Sequence, residues 1–226
     1  MKNRFSTVSK MFVPMLAAAA STAASAQVAG TYSLAAAFNK ITPHVESGDV
    51  SAPALPGTKA DVGSDTEPLL IATYMISGHV SLEAAIGLPY KHDLTGAGAI
   101  AGTGKLGSTE VLPPTAFLQY RFFEANAVIR PFVGLGITYA YFRKETGSAQ
   151  LTALINTGGP ATTFRIDNKW AATPQIGIAA VLDRKWFASA AITKTYLKTT
   201  AHYSTGQSLD LRLNPISINM GIGYRF

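Results

Sequence analysis

The sequence predicts an all-β fold, an eight-stranded antiparallel transmembrane β-barrel with long extracellular loops and short periplasmic turns. Three observations lead there. Eight alternating or strand-like stretches recur, with Ala runs blurring the faces of the first and seventh, and the segments joining them alternate between long and short. An N-terminal export signal precedes a chain with no apolar run long enough for a membrane helix.

The export signal comes first. Lys2, Arg4 and Lys10 carry positive charge with no acid among them, the apolar stretch Met11 to Ala20 follows, and Ala24-Ser25-Ala26 forms an A-x-A cleavage site. Residues 1–26 are therefore expected to be removed, leaving residues 27–226 as the barrel. The apolar run is too short to cross about 30 Å of hydrocarbon as a helix. Loss of the three basic residues lowers the net charge from +6 to +3, which gives no reason to expect nucleic acid as a partner. The chain has no cysteine, so an exported protein of this sequence has neither disulfides nor thiolate metal sites.

The eight expected strands are Thr31 to Phe38, Pro68 to Ile76, His79 to Leu88, Pro114 to Phe122, Pro131 to Phe142, Lys169 to Val181, Trp186 to Lys198 and Leu209 to Phe226. In the third, Val80, Leu82, Ala84 and Ile86 alternate with Ser81, Glu83, Ala85 and Gly87. In the fifth, Val133, Leu135, Ile137, Tyr139 and Tyr141 alternate with Gly134, Gly136, Thr138 and Ala140. Long connections (Asn39 to Glu67, Pro89 to Pro113, Arg143 to Asn168, Thr199 to Ser208) interleave with short ones at Ser77-Gly78, Phe123 to Arg130 and Leu182 to Lys185. An even-stranded barrel with long loops at one rim and short turns at the other has this rhythm. Within the third long connection, Ala149 to Ile155 is suited to a short helix.

A soluble barrel turns its apolar face inward and shows water a charged exterior, whereas a membrane barrel turns it to lipid and fills a narrow lumen with small polar residues. Here the second face is Gly, Ser, Thr, Asn and Ala with few charges, which suits a tight interior. Tyr90, Tyr120, Phe122, Phe142, Trp170, Trp186, Tyr224 and Phe226 fall near strand ends, as interfacial girdles require. The closing strand alternates through Ile218, Met220, Ile222, Tyr224 and Phe226. That ending resembles the C-terminal signal of outer-membrane strands, with Tyr224 and Phe226 as the residues read by the barrel assembly machinery.

Four strings carry a family resemblance: "GLPYKHDL" (Gly87 to Leu94), "LPPTAFLQYRF" (Leu112 to Phe122), "RPFVGLGITYAYF" (Arg130 to Phe142) and "NPISINMGIGYRF" at the end. In order and spacing they resemble the OmpW family of small outer-membrane barrels across the mature chain. The resemblance implies an eight-stranded barrel in the bacterial outer membrane, without enzymatic activity, whose relatives are associated with passage of small hydrophobic molecules. A barrel serving only as structure or as a docking surface for phage, bacteriocin or host is the alternative.

Such passage needs an apolar pocket, since a polar lumen offers a hydrophobic molecule no favourable partition. Leu88, Pro89, Tyr90, Leu112, Pro113, Phe142 and Trp170 cluster at the loop ends of their strands and are its expected lining, with lipid anchoring the competing role for the aromatics. Prolines there also interrupt the hydrogen-bond ladder. Glu83, Arg121 and Arg225 share the lumen-facing parity, and at least one ion pair among them is expected because a lone buried charge is costly.

The remaining motifs promise less. In "AHYS", His202 and Ser204 have the H-x-S spacing of lipid A deacylase barrels, but the nearest downstream acid, Asp210, lies at the turn into the last strand. His44, His79 and His92 are scattered, so neither a metal nor a cofactor is expected. The glycine run "TGAGAIAGTGKLG" follows no strand–helix unit that cradles phosphate. Lys91, Lys105, Arg143, Lys144, Lys194 and Lys198 near the rims are positioned to attract lipopolysaccharide phosphates or simply to be solvated.

Overall fold

The computed structural model describes residues 28–54 and 56–226; the expected export signal lies outside them. In chain order the strands are β1 (Tyr32–Thr42), β2 (Glu46–Ser47), β3 (Thr58–Val62), β4 (Asp65–Met75), β5 (Val80–Gly87), β6 (Tyr90–Gly98), β7 (Lys105–Leu112) and β8 (Thr115–Arg121). Then follow β9 (Ile129–Gly147), helix α1 (Ala149–Ile155), β10 (Phe164–Ile166), β11 (Lys169–Val181), β12 (Trp186–Lys194), β13 (Lys198–Tyr203), β14 (Ser208–Arg212) and β15 (Ile216–Arg225).

Eight of these strands close a barrel in the order β1, β4, β5, β8, β9, β11, β12, β15 and back to β1, every pair antiparallel. The closing seam runs from Ser33 opposite Arg225 to Thr42 opposite Ile216. Closure leaves no open sheet edge within the band, so the backbone needs no water there. Among the described residues no helix is long and apolar enough to cross a membrane.

Alternation sends the expected apolar residues outward. Phe38 (68 % exposed), Leu135 (64 %) and Met220 (61 %) stand out from a band that also holds Leu70, Ile86, Leu118, Ile176 and Ile218. An exposed apolar surface of this extent is the mark of a lipid-facing wall. At the lower margin Tyr32 packs on Tyr74 with ring centroids 4.7 Å apart, and Trp186 and Phe226 each meet Tyr224 edge-on at 5.2 Å. At the upper margin Trp170 packs on Tyr139 at 4.7 Å.

Inside the lower barrel, bulk is supplied by phenylalanines lying across directly opposed glycines: Phe117 over Gly136, Phe132 over Gly177 and Phe187 over Gly223. A Cβ at any of these glycines would collide with the neighbouring ring, so the small residues of the inner face make room for the aromatic partner.

The segments expected to be long loops are largely sheet. β3, β6, β7 and the upper half of β9 continue one side of the wall upward, while β2, β14, β13 and β10 form a second sheet on the other. Between them these hairpins hold an apolar core that includes Leu94, Ile100, Leu106, Leu151, Phe164, Tyr203 and Leu209. In β6 the alternation persists, with Tyr90, His92 and Leu94 inward and Lys91, Asp93 and Thr95 outward. Glycine and charge on the water-facing side made it look like loop. The short helix falls where expected; Ser148 caps it by accepting a 3.1 Å hydrogen bond from the Leu151 amide, and Leu151 is its buried residue.

Candidate functional site

The lumen is layered. At the bottom, polar side chains from three strands, β5, β8 and β11, form one hydrogen-bonded chain. Gln175 Nε2 donates to Glu83 Oε1 (3.3 Å), Gln119 Nε2 donates to Gln175 Oε1 (2.8 Å), and Gln119 Oε1 accepts from Arg121 Nη2 (2.8 Å) and Ser81 Oγ (3.0 Å). Arg121 Nε also donates to Ser81 Oγ (3.0 Å), and its guanidinium lies 4.9 Å from the centre of the Phe132 ring. Gln119 and Arg121 are 1 % and 4 % exposed, so this chain is a plug.

At least one ion pair was expected among Glu83, Arg121 and Arg225; between Glu83 and Arg121 the structure places this hydrogen-bonded relay. Glutamines 119 and 175 stand between the two charges and satisfy both, the condition under which charge is tolerated in a narrow interior. Arg225, also buried and lumen-facing as expected, lies over the Phe187 ring at 5.1 Å. Below them Arg130 closes the base, donating to the carbonyl oxygens of Gly78 (2.7 Å) and Phe123 (3.2 Å).

Above the plug, hydroxyls link successive wall strands. Thr115 and Thr138 Oγ1 are 2.8 Å apart, Thr138 and Thr173 2.6 Å, and Thr173 donates to Thr195 at 3.1 Å. These hydroxyls are thereby hydrogen-bonded to one another, and Thr115 also donates to the Pro113 carbonyl oxygen at 3.1 Å.

On that floor stands an internal cavity of about 100 Å³. Ile41, Leu94, Val111, Phe142, Leu197 and Leu213 are among its apolar lining, and Asn39, Tyr90, His92 and Asn219, with the threonines of the floor, among its polar lining. Asn39 Nδ2 donates to the Tyr90 hydroxyl (2.8 Å), and His92 Nδ1 lies 2.6 Å from the Gly63 carbonyl oxygen. Tyr90 and His92 stack at 6.5 Å. An apolar chamber with a few fixed polar groups is the usual form of a small-molecule site.

The expected lining residues divide. Tyr90, Pro113 and Phe142 line the cavity. Leu88 (55 % exposed) and Trp170 (66 %) point outward, and the aromatic role of Trp170 is at the lipid margin; Pro89 and Leu112 sit half-buried in the wall without lining the chamber. The cause is period two: neighbours in sequence at a strand end face opposite sides. The cavity is also lined by Ile41, His92, Leu94 and Val111, which lie in segments expected to be loops, and by Leu197, Leu211 and Leu213, which lie in expected strands but whose inward facing the sequence reading did not assign.

The prolines mark a break in the wall. β5 pairs with β8 up to Ala85 opposite Thr115, and pairing resumes only at Tyr90 opposite Val111 in β6 and β7, with Pro89, Pro113 and Pro114 between. Beside this break, Leu69 and Gly87 line both the internal cavity and an apolar groove on the outer wall. Gly87 contributes no side chain, so Leu69 is the one side chain shared by the two spaces.

The "AHYS" stretch lies on the second sheet. The acid near His202 is Asp167, 3.6 Å from Nε2, rather than Asp210, whose Oδ1 instead accepts from Thr200 (2.8 Å). Ser204 Oγ accepts from the Thr163 amide (3.1 Å). His202 is exposed and turned to Asp167, an arrangement of hairpin surface groups. Lys169 hydrogen-bonds Asp167 and, with the nearby His202, holds its carboxyl below the usual carboxylate range.

Comparison with known proteins places this architecture. The profile of the OmpW family matches residues 28–226. Outer membrane protein W of Vibrio cholerae serotype O1 is 31 % identical over 169 residues, covering 73 % of this chain and 76 % of its own. The dibenzothiophene metabolism operon protein PahQ of Pseudomonas aeruginosa is 29 % identical over 175 residues, 76 % of this chain and 77 % of its own. The crystal structure of the outer membrane protein OprG from Pseudomonas aeruginosa superposes with a TM-score of 0.80 at 25 % identity, covering 90 % of this chain and 99 % of that one. With the closed barrel, the lipid-facing band and the plugged lumen, these similarities make the chain an outer-membrane β-barrel that belongs to the OmpW family.

Proposed function

We propose that the barrel gives small hydrophobic molecules a passive route across the outer membrane. The observation that carries this reading is the apolar cavity standing on a sealed floor, separated from the outer wall by Leu69 and Gly87. A hydrophobic molecule partitions from water into the cavity because that removes apolar surface from solvent. The polar plug below offers it no comparable partition and no opening. The side route past Leu69 and Gly87, at the top of the β4–β5 ladder and beside the proline break, leads to the lipid side, where the molecule is again in apolar surroundings.

The name of the Pseudomonas aeruginosa relative, which assigns it to a dibenzothiophene metabolism operon, supports a fused aromatic as cargo. The test is uptake of naphthalene into proteoliposomes of the refolded barrel, against empty vesicles and an Ala140→Leu variant. Ala140 is buried on the cavity wall, so the added side chain occupies the chamber. Faster uptake by the native barrel that Ala140→Leu loses supports passage through the cavity. Uptake equal to empty vesicles overturns it in favour of a structural or docking barrel.

A further inference from the structure

Most cations on the extracellular hairpins are neutralised by a neighbouring carboxylate. Lys105 lies 2.6 Å from Asp93, Arg143 and Lys144 each 3.1 Å from Glu110, and Lys59 3.8 Å from Asp49. One face differs. On the outer wall, the β1–β2, β15–β14 and β12–β13 strand pairs run side by side from the lipid band into the extracellular sheet with unbroken register.

Successive outward rows across these three strands are Phe38, Met220 and Ala190; then Lys40, Ile218 and Ile192; then Thr42, Ile216 and Lys194. Higher up stand Glu46, Arg212 and Lys198. Lys40, Lys194 and Lys198 have no carboxylate within salt-bridge distance among the described residues, and Arg212 has only the solvated Glu46 at 3.6 Å. Lys198 and Arg212 are direct cross-strand partners, an opposition of like charges that destabilises a sheet unless something anionic lies over it. The acids of the panel are Glu46 and Asp210, the second engaged by Thr200, so cations outnumber acids.

Below the cations the wall is concave and apolar. Ala36, Ala188 and Ala190 form the floor of a groove bordered by Phe38, Met220 and Ile222. Lys40 and Lys194 are two strands and one row apart, about 12 Å at ordinary strand spacing and rise, a gap that their flexible stems can narrow. Cations at the water margin directly above an apolar groove at hydrocarbon depth match one class of molecule: an anionic head bearing phosphate, joined to acyl chains.

We infer that this panel is a binding site for a phosphorylated, acylated glycolipid of the outer leaflet. Its phosphates lie between Lys40 and Lys194 and over the Lys198–Arg212 pair, and one acyl chain occupies the alanine-floored groove. The site is on the outer wall and its occupancy does not depend on passage through the cavity.

The test uses residues 27–226 in phosphatidylcholine nanodiscs, with lipid retention read by native mass spectrometry. Bisphosphorylated lipid A is compared with its dephosphorylated form, and inorganic pyrophosphate is the competitor. The native protein is expected to retain lipid A, and the Lys40→Gln/Lys194→Gln/Lys198→Gln variant to lose about tenfold in retention from the missing headgroup attraction. Ala190→Phe, which fills the groove, also weakens retention, whereas Lys105→Gln/Lys144→Gln on the paired cations leaves it unchanged. Equal retention by the triple variant, or equal retention of the dephosphorylated lipid, overturns the site. Full displacement by pyrophosphate identifies a bare phosphate site and overturns the glycolipid assignment.

Discussion

Asn39 and Tyr90, 51 residues apart, join β1 to β6 inside the barrel through a 2.8 Å hydrogen bond from the Asn39 amide to the tyrosine hydroxyl. Both are buried on the cavity wall, Tyr90 to 1 % exposure. The bond ties the lipid-spanning strand to the extracellular hairpin at the level where the ladder of β5 and β8 is broken.

Tyr90→Phe removes the acceptor and leaves the Asn39 amide group buried without it. A destabilisation of about 1–3 kcal/mol is expected, the cost of an unsatisfied buried polar group. Urea unfolding of the barrel in lipid vesicles measures it. The double variant Asn39→Leu/Tyr90→Phe removes both partners and should recover much of the loss; a double variant weaker than the sum of the singles would show that the bond is not the source.

The plug makes a stronger demand. Gln119 donates to Gln175 and accepts from both Arg121 and Ser81, so Gln119→Leu removes three hydrogen bonds at once. The charged donor among them makes a loss of about 3 kcal/mol or more the expectation in the same urea assay. Glu83→Gln keeps an oxygen to accept from Gln175 and should cost less than Gln119→Leu. The reverse order would mean that charge, and not the relay, holds the lower lumen.

His92 gives a pH dependence. It lies above the lipid band between outward Lys91 and Asp93, and burial pushes its pKa below the ordinary value of 6.5, opposed in smaller part by the hydrogen bond to the Gly63 carbonyl and by Asp65 and Asp93. A histidine held neutral by folding takes up a proton more readily when unfolded. Its contribution is therefore fully present above about pH 6.5 and declines as the pH falls below that value. Hydrogen exchange of the β3–β6 amides should accelerate relative to the rest of the barrel between pH 7.5 and pH 5, and His92→Phe should abolish that difference.

Trp170 separates cavity from wall. It faces outward against Tyr139, so Trp170→Ala should leave naphthalene uptake unchanged while shifting the tryptophan fluorescence that reports the upper lipid margin. A loss of uptake would mean that the route runs outside the barrel at β11 rather than beside β5.

Period two was the most legible signal in the sequence. It identified the outward faces of β5, β9 and β15 because lipid demands apolar residues at alternate positions across the band. Above the band the same alternation continues in β6, β7 and β13, but there the outer face meets water and the inner face a shared apolar core, so Gly, Lys and Thr dilute the pattern. The cavity residues Leu94 and Val111 were hidden for that reason. Glu83 and Arg121 were placed correctly in the lumen by parity; the glutamines between them were not anticipated because parity gives the face of a side chain and not its partner three strands away. Asp167 was likewise invisible as the neighbour of His202, since a chain separation of 35 residues is closed only by the pairing of β10 with β13.

The most direct measurement uses the absence of cysteine. Leu70 and Ile86 are paired, outward-facing neighbours on β4 and β5, one step below the point where cavity and outer groove share Leu69 and Gly87. Directly opposed strand residues fall within the Cα separation that a disulfide spans. Naphthalene uptake by Leu70→Cys/Ile86→Cys proteoliposomes should fall toward the empty-vesicle rate when the pair is oxidised and recover on reduction. Uptake that stays at the native rate in the oxidised, fully cross-linked barrel would contradict passage between β4 and β5.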